Sequence, residues 1–245
     1  MSVVIVEERG PVSIVSINRP EKLNAVNKAV AIELQDAFAA FDRSAQRVAI
    51  LAGAGGRAFS AGADVTDLPE LWRCVPTVGI TTEKPIIAAV GGWCIGGGLV
   101  MAMMCDLLVA SEGARFSYPE GKVGITGGMI AGLAARIPHK IAMEMMLLGE
   151  PISAERAYQA GLVNRVVSNG AEIEEALGLA AKLIELAPLA LATMKRFVND
   201  HVLPKGPAEL AARFSAELAA VRNSADAAEG VRAFRERRKP RYRGR

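Results

Sequence analysis

Two stretches of small residues could each present backbone N–H groups to a ligand. They are Phe59-Ser-Ala-Gly-Ala-Asp64 and Gly96-Gly-Gly98, and each follows a predicted strand. Glycine and alanine leave the backbone accessible, and an N–H at the start of a helix has no partner within that helix. Two such groups that converge on one point would form an oxyanion hole, although glycine-rich turns before helices also occur for packing alone.

Other kinds of site are disfavoured by what the chain lacks. The first strand is not followed by G-x-G-x-x-G, and no Gly-Lys-Ser/Thr occurs, so neither a dinucleotide fingerprint nor a P-loop is indicated. Cys74, Cys94 and Cys105 are an odd number without C-x-x-C spacing, which argues against a disulfide framework and a zinc site. We expect no bound metal and no prosthetic group.

The elements that must position these stretches alternate between strand and helix. Apolar residues at helical spacing predict a helix from Asn27 to Phe41, and Gly96 opens a second helix that runs to Cys105. This alternation predicts an α/β fold with parallel connections. From Glu172 onward the pattern is helical only. The predicted strands are Val48–Leu51, which should be buried, and Ile86–Val90, Leu107–Ala110 and Leu162–Val167.

The charge is distributed unevenly along the chain. The net charge is +3, yet eight Lys and Arg and one Glu lie between Arg232 and Arg245, so the rest of the chain is net acidic. A basic end can bind nucleic acid or an anionic membrane, but an anionic cofactor is the better partner, and we expect neither nucleic acid nor membrane binding. The N-terminus lacks a signal-peptide pattern, and the longest apolar stretch, Ile95–Met104, is too short to span a bilayer. These features predict a cytoplasmic protein.

Several motifs in a fixed order carry a family resemblance over essentially the whole chain. They are Ile17-Asn-Arg-Pro-Glu-Lys-Leu-Asn-Ala-Val-Asn27, Arg57-Ala-Phe-Ser-Ala-Gly-Ala-Asp64, Lys84-Pro-Ile-Ile-Ala-Ala-Val-Gly-Gly-Trp-Cys-Ile-Gly-Gly-Gly98, Tyr118-Pro-Glu120, Gly161-Leu-Val-Asn-Arg165 and the basic end from Glu229 to Arg245. Together they closely resemble the enoyl-CoA hydratase/isomerase (crotonase) superfamily.

The resemblance implies a fold, a substrate class and an assembly. The fold would be a crotonase-like ββα spiral of the ClpP/crotonase type in residues 1–186, which would carry the CoA and oxyanion sites. Residues 187–245 would form a helical C-terminal region that mediates a homotrimer or a dimer of trimers. The substrate would be an acyl-CoA thioester, as in fatty acid metabolism, with coenzyme A as part of the substrate. The basic tail could reach the CoA phosphates of a neighbouring subunit.

The resemblance also assigns roles to individual residues. Ala63 and Gly97 would supply the N–H groups of the oxyanion hole that holds the thioester oxygen, and Glu120 would be the catalytic acid/base. The remaining positions would contact CoA, near its nucleotide or along the pantetheine path: Lys22, Leu23, Ala25, Ala61, Gly62 and Asp64.

The chain departs from the hydratase pattern at one position. Hydratases of this superfamily place a glutamate three residues after the oxyanion glycine, where this chain has Val100. Dienoyl-CoA isomerases and aryl-CoA dehalogenases use an acid eight residues after the Pro-Glu glutamate, where this chain has Gly128. Monofunctional enoyl-CoA isomerases need a single glutamate, so Glu120 alone favours double-bond isomerisation.

Other functions remain open from the sequence. The protein could be a hydratase with a non-standard second acid, for which Asp67 and Glu70 are candidates. It could bind acyl-CoA without catalysis, although the intact motifs argue against this. An RNA-binding role through the basic tail is a third possibility, and it predicts salt-sensitive retention.

Overall fold

The computed structural model describes residues 2–244, which form two β-sheets and a series of helices. The strands are β1 (Val4–Arg9), β2 (Val12–Ile17), β3 (Val48–Gly53), β4 (Ala58–Ser60), β5 (Ile86–Val90), β6 (Trp93–Ile95), β7 (Leu107–Ser111), β8 (Arg115–Ser117), β9 (Ile152–Ser153) and β10 (Arg165–Val167). The α-helices are α1 (Lys28–Arg43), α2 (Gly97–Met103), α3 (Glu120–Val123), α4 (His139–Leu148), α5 (Ala154–Gln159), α6 (Glu172–Ile184), α7 (Pro188–Phe197), α8 (Pro207–Arg222) and α9 (Ala225–Arg235).

The larger sheet has the strand order β1-β2-β3-β5-β7-β10. The pair β1–β2 is antiparallel and every other pair is parallel. Every residue of β5 is buried, as expected for a parallel strand that is covered on both faces. One face packs against α1 and α2, and the other packs against α6 through Ala176 and Ala180. The predicted α/β class with parallel connections is confirmed.

The smaller sheet has the order β4-β6-β8-β9, and β4, β6 and β8 run parallel to one another. Sequence analysis missed all four strands, since none exceeds three residues. A strand of that length shows no readable period of hydrophobic residues. This sheet nevertheless determines the site, because the carboxyl ends of its three parallel strands lie at one edge.

The structure refines the predicted elements. The helix expected from Asn27 is α1, and the Asn27 side chain caps it by accepting a hydrogen bond from Val30 N at 3.0 Å. The strand expected over 162–167 is β10, which begins only at Arg165. The segment after Gly128 is a 3-10 helix, Met129–Ala135, followed by α4.

The C-terminal region is helical, as predicted. A π-helical turn, Val198–Val202, follows α7, and α8 and α9 complete the region. Large apolar side chains on these helices are exposed, including Leu189 at 81% and Phe234 at 86%. No single helix within residues 2–244 is long and apolar enough to cross a membrane. Taken together, α6 and the segment Pro188–Val202 have the length and composition of a membrane span, but the two are bent by 107° relative to each other.

Candidate active site

The three residues expected to perform the chemistry follow three adjacent parallel strands. Ala63 follows β4, Gly97 follows β6, and Glu120 follows β8. Parallel strands end at a common edge, and the crevice outside their carboxyl ends is a frequent place for ligands in α/β folds. The smaller sheet thus brings together residues that lie far apart in the sequence.

The backbone N–H of Ala63 is left free by the strand pairing around it. Val26 pairs with this segment by donating to Gly62 O at 2.8 Å and accepting from Asp64 N at 2.8 Å. Because alternate N–H groups of an extended chain point to opposite sides, the N–H of Ala63 points away from Val26. Among residues 2–244 it has no hydrogen-bond partner.

The N–H of Gly97 lies close to that of Ala63. Gly97 is the first residue of α2, so its N–H has no partner within the helix, and none occurs among the described residues. A Cβ built on Gly97 would lie 3.6 Å from Ala63 N, and a Cβ on Gly62 would lie 3.1 Å from Gly97 N. Two unpaired N–H groups therefore share one small space, which is the arrangement of an oxyanion hole.

Gly96 joins this pair to Glu120. Its backbone, at φ 55° and ψ −119°, has a conformation that side chains rarely adopt. A Cβ at Gly96 would also collide with Oε1 of Glu120. The carboxylate thus packs directly against the residue that precedes α2, and a side chain at position 96 would displace it. Sequence analysis placed Gly96 at the start of a helix but did not predict its contact with Glu120.

Glu120 is a half-buried carboxyl group without a charged partner. Its Oε2 is inaccessible to solvent and has no hydrogen-bond partner in the described part of the chain. Burial raises the pKa of Glu120 to about 7, although a backbone hydrogen bond opposes the shift. A carboxyl group with a pKa near neutrality can accept a proton and return it during one reaction cycle.

Leu71 forms an apolar wall beside the two N–H groups. It begins the 3-10 helix Leu71–Cys74, and both of its methyl carbons would lie 3.0 Å from a Cβ on Gly97. The sequence contained no signal for this contact, because it links a loop residue to a distant glycine. The space beside Gly97 is therefore bounded on one side by an apolar side chain.

Val100, which stands where hydratases of the superfamily have a glutamate, is part of the hydrophobic core. Val100 lies one turn into α2 and is 2% exposed. The two substitute acids are in ion pairs: Asp67 lies 3.1 Å from Lys28, and Glu70 lies 2.7 Å from Arg73. Gly128 faces α8, and a Cβ built on Gly128 would contact the side chain of Ala208. Positions 100 and 128 therefore carry no carboxylate, and both substitute acids already have a cationic partner.

The segments expected to contact CoA lie side by side. Residues 22–26 pair with residues 61–64 to form a two-stranded ribbon. Ala61 N donates to Leu23 O at 2.9 Å at one end of it, and the two Val26 hydrogen bonds to Gly62 and Asp64 follow. Lys22 is exposed in the turn at the start of this ribbon. All six expected residues therefore lie along one ribbon that leads to the oxyanion N–H groups: Lys22, Leu23, Ala25, Ala61, Gly62 and Asp64.

Arg19, which sequence analysis did not single out, fastens this ribbon. Its guanidinium donates to Ala25 O at 2.7 Å and to Asp64 Oδ2 at 3.1 Å. The Asp64 pKa is lowered, chiefly by the hydrogen bond from Thr66 and further by Arg19. The carboxylate of Asp64 thus holds the loop together.

The basic tail folds back onto α9. Arg238 pairs with Glu229, and the backbone N–H groups of Arg241 and Arg243 donate to Glu229 and Asp226 at 2.9 and 2.7 Å. The hydrogen bond from Arg238 is the main reason that the pKa of Glu229 falls to about 2. The groove between helix and tail measures about 750 Å³ and is lined by Arg and Lys side chains together with the carboxylates of Asp226 and Glu229.

Comparisons with known proteins show the family of the chain. The model of the family described as enoyl-CoA hydratase/isomerase matches residues 7–245. The chain is 36% identical to carnitinyl-CoA dehydratase of Salmonella typhi, over 96% of each chain. It is 36% identical to (E)-benzylidenesuccinyl-CoA hydratase of Thauera aromatica, over 98% of this chain and 99% of the relative.

Solved structures give the same result. An enoyl-CoA hydratase from Mycobacterium tuberculosis H37Rv superposes with a TM-score of 0.77 at 37% identity, and both chains are covered completely. A carnitinyl-CoA hydratase from Mycobacterium avium gives a TM-score of 0.78 at 34% identity with the same coverage.

Proposed function

Because the chain belongs to the enoyl-CoA hydratase/isomerase family of the crotonase superfamily, we propose that it converts an acyl-CoA thioester through an enolate. The N–H groups of Ala63 and Gly97 hold the thioester oxygen, and Glu120 moves the proton. The observation that carries this proposal is the juxtaposition of two N–H groups with a half-buried carboxyl group; among the described residues, neither the N–H groups nor Oε2 of the carboxyl group have a hydrogen-bond partner.

The physical basis is charge stabilisation at a preorganised site. When C2 loses a proton, negative charge develops on the thioester oxygen, and two fixed N–H donors stabilise it without reorganising. Glu120 takes the C2 proton because its pKa, raised to about 7 by burial, is far closer to that of a useful base than an ordinary carboxylate's. Leu71 keeps the surroundings apolar, which strengthens both interactions.

We propose double-bond isomerisation as the principal reaction. In a 3-enoyl-CoA substrate, Glu120 removes a proton from C2, the double bond moves into conjugation with the thioester, and the same carboxyl group delivers a proton to C4. Hydration instead requires a water to be held and activated while a proton reaches C2. The valine at position 100 cannot orient water, and it is buried in the core.

Hydration or dehydration is the second candidate, and the relatives favour it. The names carnitinyl-CoA dehydratase and (E)-benzylidenesuccinyl-CoA hydratase belong to proteins that are 36% identical to this chain over nearly its whole length. In that case Glu120 would have to serve both the water and C2, or a substrate group would orient the water.

Matched substrates distinguish the two reactions. Purified protein is given 2-enoyl-CoA and 3-enoyl-CoA of the same chain length, and hydration and isomerisation are measured separately. The proposal expects isomerisation to be the faster reaction and both to disappear in E120Q. The matched control is E112Q, since Glu112 is an exposed glutamate outside the site. Hydration far faster than isomerisation would overturn the assignment and require a second acid.

The CoA moiety is assigned to the ribbon of Lys22, Leu23, Ala25, Ala61, Gly62 and Asp64. The exposed Lys22 ammonium suits the nucleotide phosphates, while the small residues at 61 and 62 leave the backbone accessible to pantetheine. K22A is expected to raise KM for acyl-CoA with kcat unchanged, because this contact is equal in the ground and transition states. An unchanged KM would remove Lys22 from the site.

We assign oligomerisation to residues 187–245. The exposed apolar side chains of α7, α8 and α9 are numerous for a monomer surface, and a homotrimer or a dimer of trimers would cover them. Sedimentation of the full chain is expected to show three or six copies. F234E and L189E are expected to shift the protein toward monomer, and a monomeric wild-type protein would contradict the assignment.

A further inference from the structure

The segment that carries Glu120 is rich in glycine and poorly covered. This glycine-rich segment, residues 120–128, contains Gly121, Gly124, Gly127 and Gly128, and its residues 121–127 are all exposed. Backbone hydrogen bonds close its first turn, from Gly124 N and Ile125 N to Glu120 O. Glycines have large conformational freedom in the unrestrained state, so such a segment needs a further restraint if its carboxylate is to keep one position.

Upstream of Glu120 the chain is firmly fixed. Ser117 O accepts from Gly96 N at 2.9 Å, and its buried hydroxyl donates to Gly149 O at 3.2 Å. Tyr118 is 5% exposed and belongs to the main hydrophobic core. The tyrosine ring thus forms a rigid anchor two residues before the carboxylate.

Downstream, a side-chain hydrogen bond ties the segment to this anchor. The hydroxyls of Tyr118 and Thr126 lie 2.9 Å apart, and Gly128 N donates to Thr126 Oγ1 at 3.0 Å. The bond joins residues eight positions apart, one on each side of Glu120. Thr126 therefore connects the far end of the glycine-rich segment to the buried tyrosine.

We propose that Tyr118 and Thr126 are positioning residues for Glu120, whose hydroxyl–hydroxyl bond closes the glycine-rich segment and holds the carboxylate against Gly96. The inference rests on the proposed role of Glu120. Neither hydroxyl contributes a proton to the reaction; the pair restricts the segment and keeps water away from the carboxylate.

The pKa values of Tyr118 and Glu120 depend on their immediate surroundings. Burial is the main cause of the raised pKa of Tyr118; the Thr126 hydrogen bond opposes it, and the charge of Glu120 adds to it. For Glu120 the causes are burial and a backbone hydrogen bond. Lys122, on the same turn, is exposed and extends toward Gly149. Loosening the segment should therefore change Glu120 mainly by admitting water.

The experiment compares Y118F, T126V, the double variant and T126S in the isomerase assay. Loss of either hydroxyl is expected to lower kcat about tenfold, with KM changed less than about twofold, because small displacements of a catalytic group are costly. The pH at which kcat reaches half its maximum should fall, since water would restore the carboxyl toward its ordinary pKa. The double variant should resemble the single ones, and T126S should restore the wild-type values.

Controls separate positioning from stability. Y158F removes an exposed hydroxyl elsewhere and should leave kcat and its pH profile unchanged. Thr126 is exposed, so T126V should fold even if Y118F does not. Wild-type kcat and pH profile in T126V, with E120Q inactive, would overturn the inference and leave the proposed function intact. An active E120Q would refute the proposed function itself. Additive losses in the double variant would also refute the coupling.

Discussion

The two halves of the proposed site use different chemical groups: backbone N–H groups in one half and a side-chain carboxylate in the other. The proposed oxyanion half consists of backbone N–H groups fixed by strand pairing and a helix start, at Ala63 and Gly97. The proposed acid/base half is a single side chain, Glu120, on a short turn at the edge of an exposed glycine-rich segment. A backbone donor survives most side-chain changes, whereas a carboxylate is lost with one. Reaction type can therefore change in the acid/base half while the oxyanion half stays the same.

The largest effect is expected from removing the carboxylate. E120Q keeps the shape of the side chain but cannot accept a proton, so kcat should fall by about 10²–10⁴. KM for acyl-CoA should hardly change, because the oxyanion and CoA contacts remain. Steady-state kinetics beside E112Q provide the measurement, and a large rise in KM would mean that Glu120 mainly binds substrate.

The oxyanion half is tested by removing one N–H without removing the helix. Proline is tolerated at the first position of a helix, where its missing N–H has no helical partner, so G97P in an L71A background should fold. Its kcat should fall by about 10²–10³. The control G97A/L71A keeps the N–H. Equal activities of the two double variants would mean that Gly97 N does not hold the reacting oxygen.

The pH dependence should report the acid/base half alone. Glu120 must be ionised to take the C2 proton, so kcat should rise with pH through a limb near pH 7, where burial places its pKa. Stability should change in the opposite direction. The folded state binds the Glu120 proton more tightly than the unfolded chain does, so the free energy of unfolding should decrease as the pH rises from the pKa of Glu120 in the unfolded chain to about 7. Thermal unfolding of E120Q should lack that decline, and a limb near pH 4 would contradict the burial effect.

The smallest effect on chemistry should come from a change that lowers stability outside the site. Asn27 caps α1, and N27A should reduce the free energy of unfolding by about 1 kcal/mol. Because Val26 holds the oxyanion segment independently of that cap, kcat should stay near the wild-type value. Denaturant unfolding and kinetics on one preparation provide the check; a tenfold loss of kcat would show that the oxyanion half is less rigid than its hydrogen bonds suggest.

Sequence analysis predicted the larger sheet better than the smaller one, for a physical reason. β5 and β7 are runs of buried apolar residues between clear breaks, whereas β4, β6 and β8 are three residues long and are defined by pairing with distant segments. The oxyanion stretches were visible because small residues at a strand–helix junction carry a local signal.

The residues that complete the site could not be found in the same way. Leu71 contacts Gly97 through a loop, and Arg19 reaches Asp64 across 45 positions of sequence. Neither contact leaves a local pattern, because each depends on the fold that brings the partners together. The Tyr118–Thr126 bond is closer in sequence, yet its significance depends on the burial of the tyrosine, which the sequence does not reveal.

The central claim is that Glu120 moves a proton at C2 of a thioester whose enolate oxygen is held by Ala63 and Gly97. The most direct measurement follows deuterium uptake into 3-enoyl-CoA and its product in D₂O by mass spectrometry. The wild-type protein and E112Q should incorporate deuterium at C4 of the product to the extent that the proton on Glu120 exchanges with solvent before delivery, and at C2 of the substrate when the enolate is reprotonated there; E120Q should incorporate none. Deuterium uptake by E120Q at the wild-type rate would contradict the account.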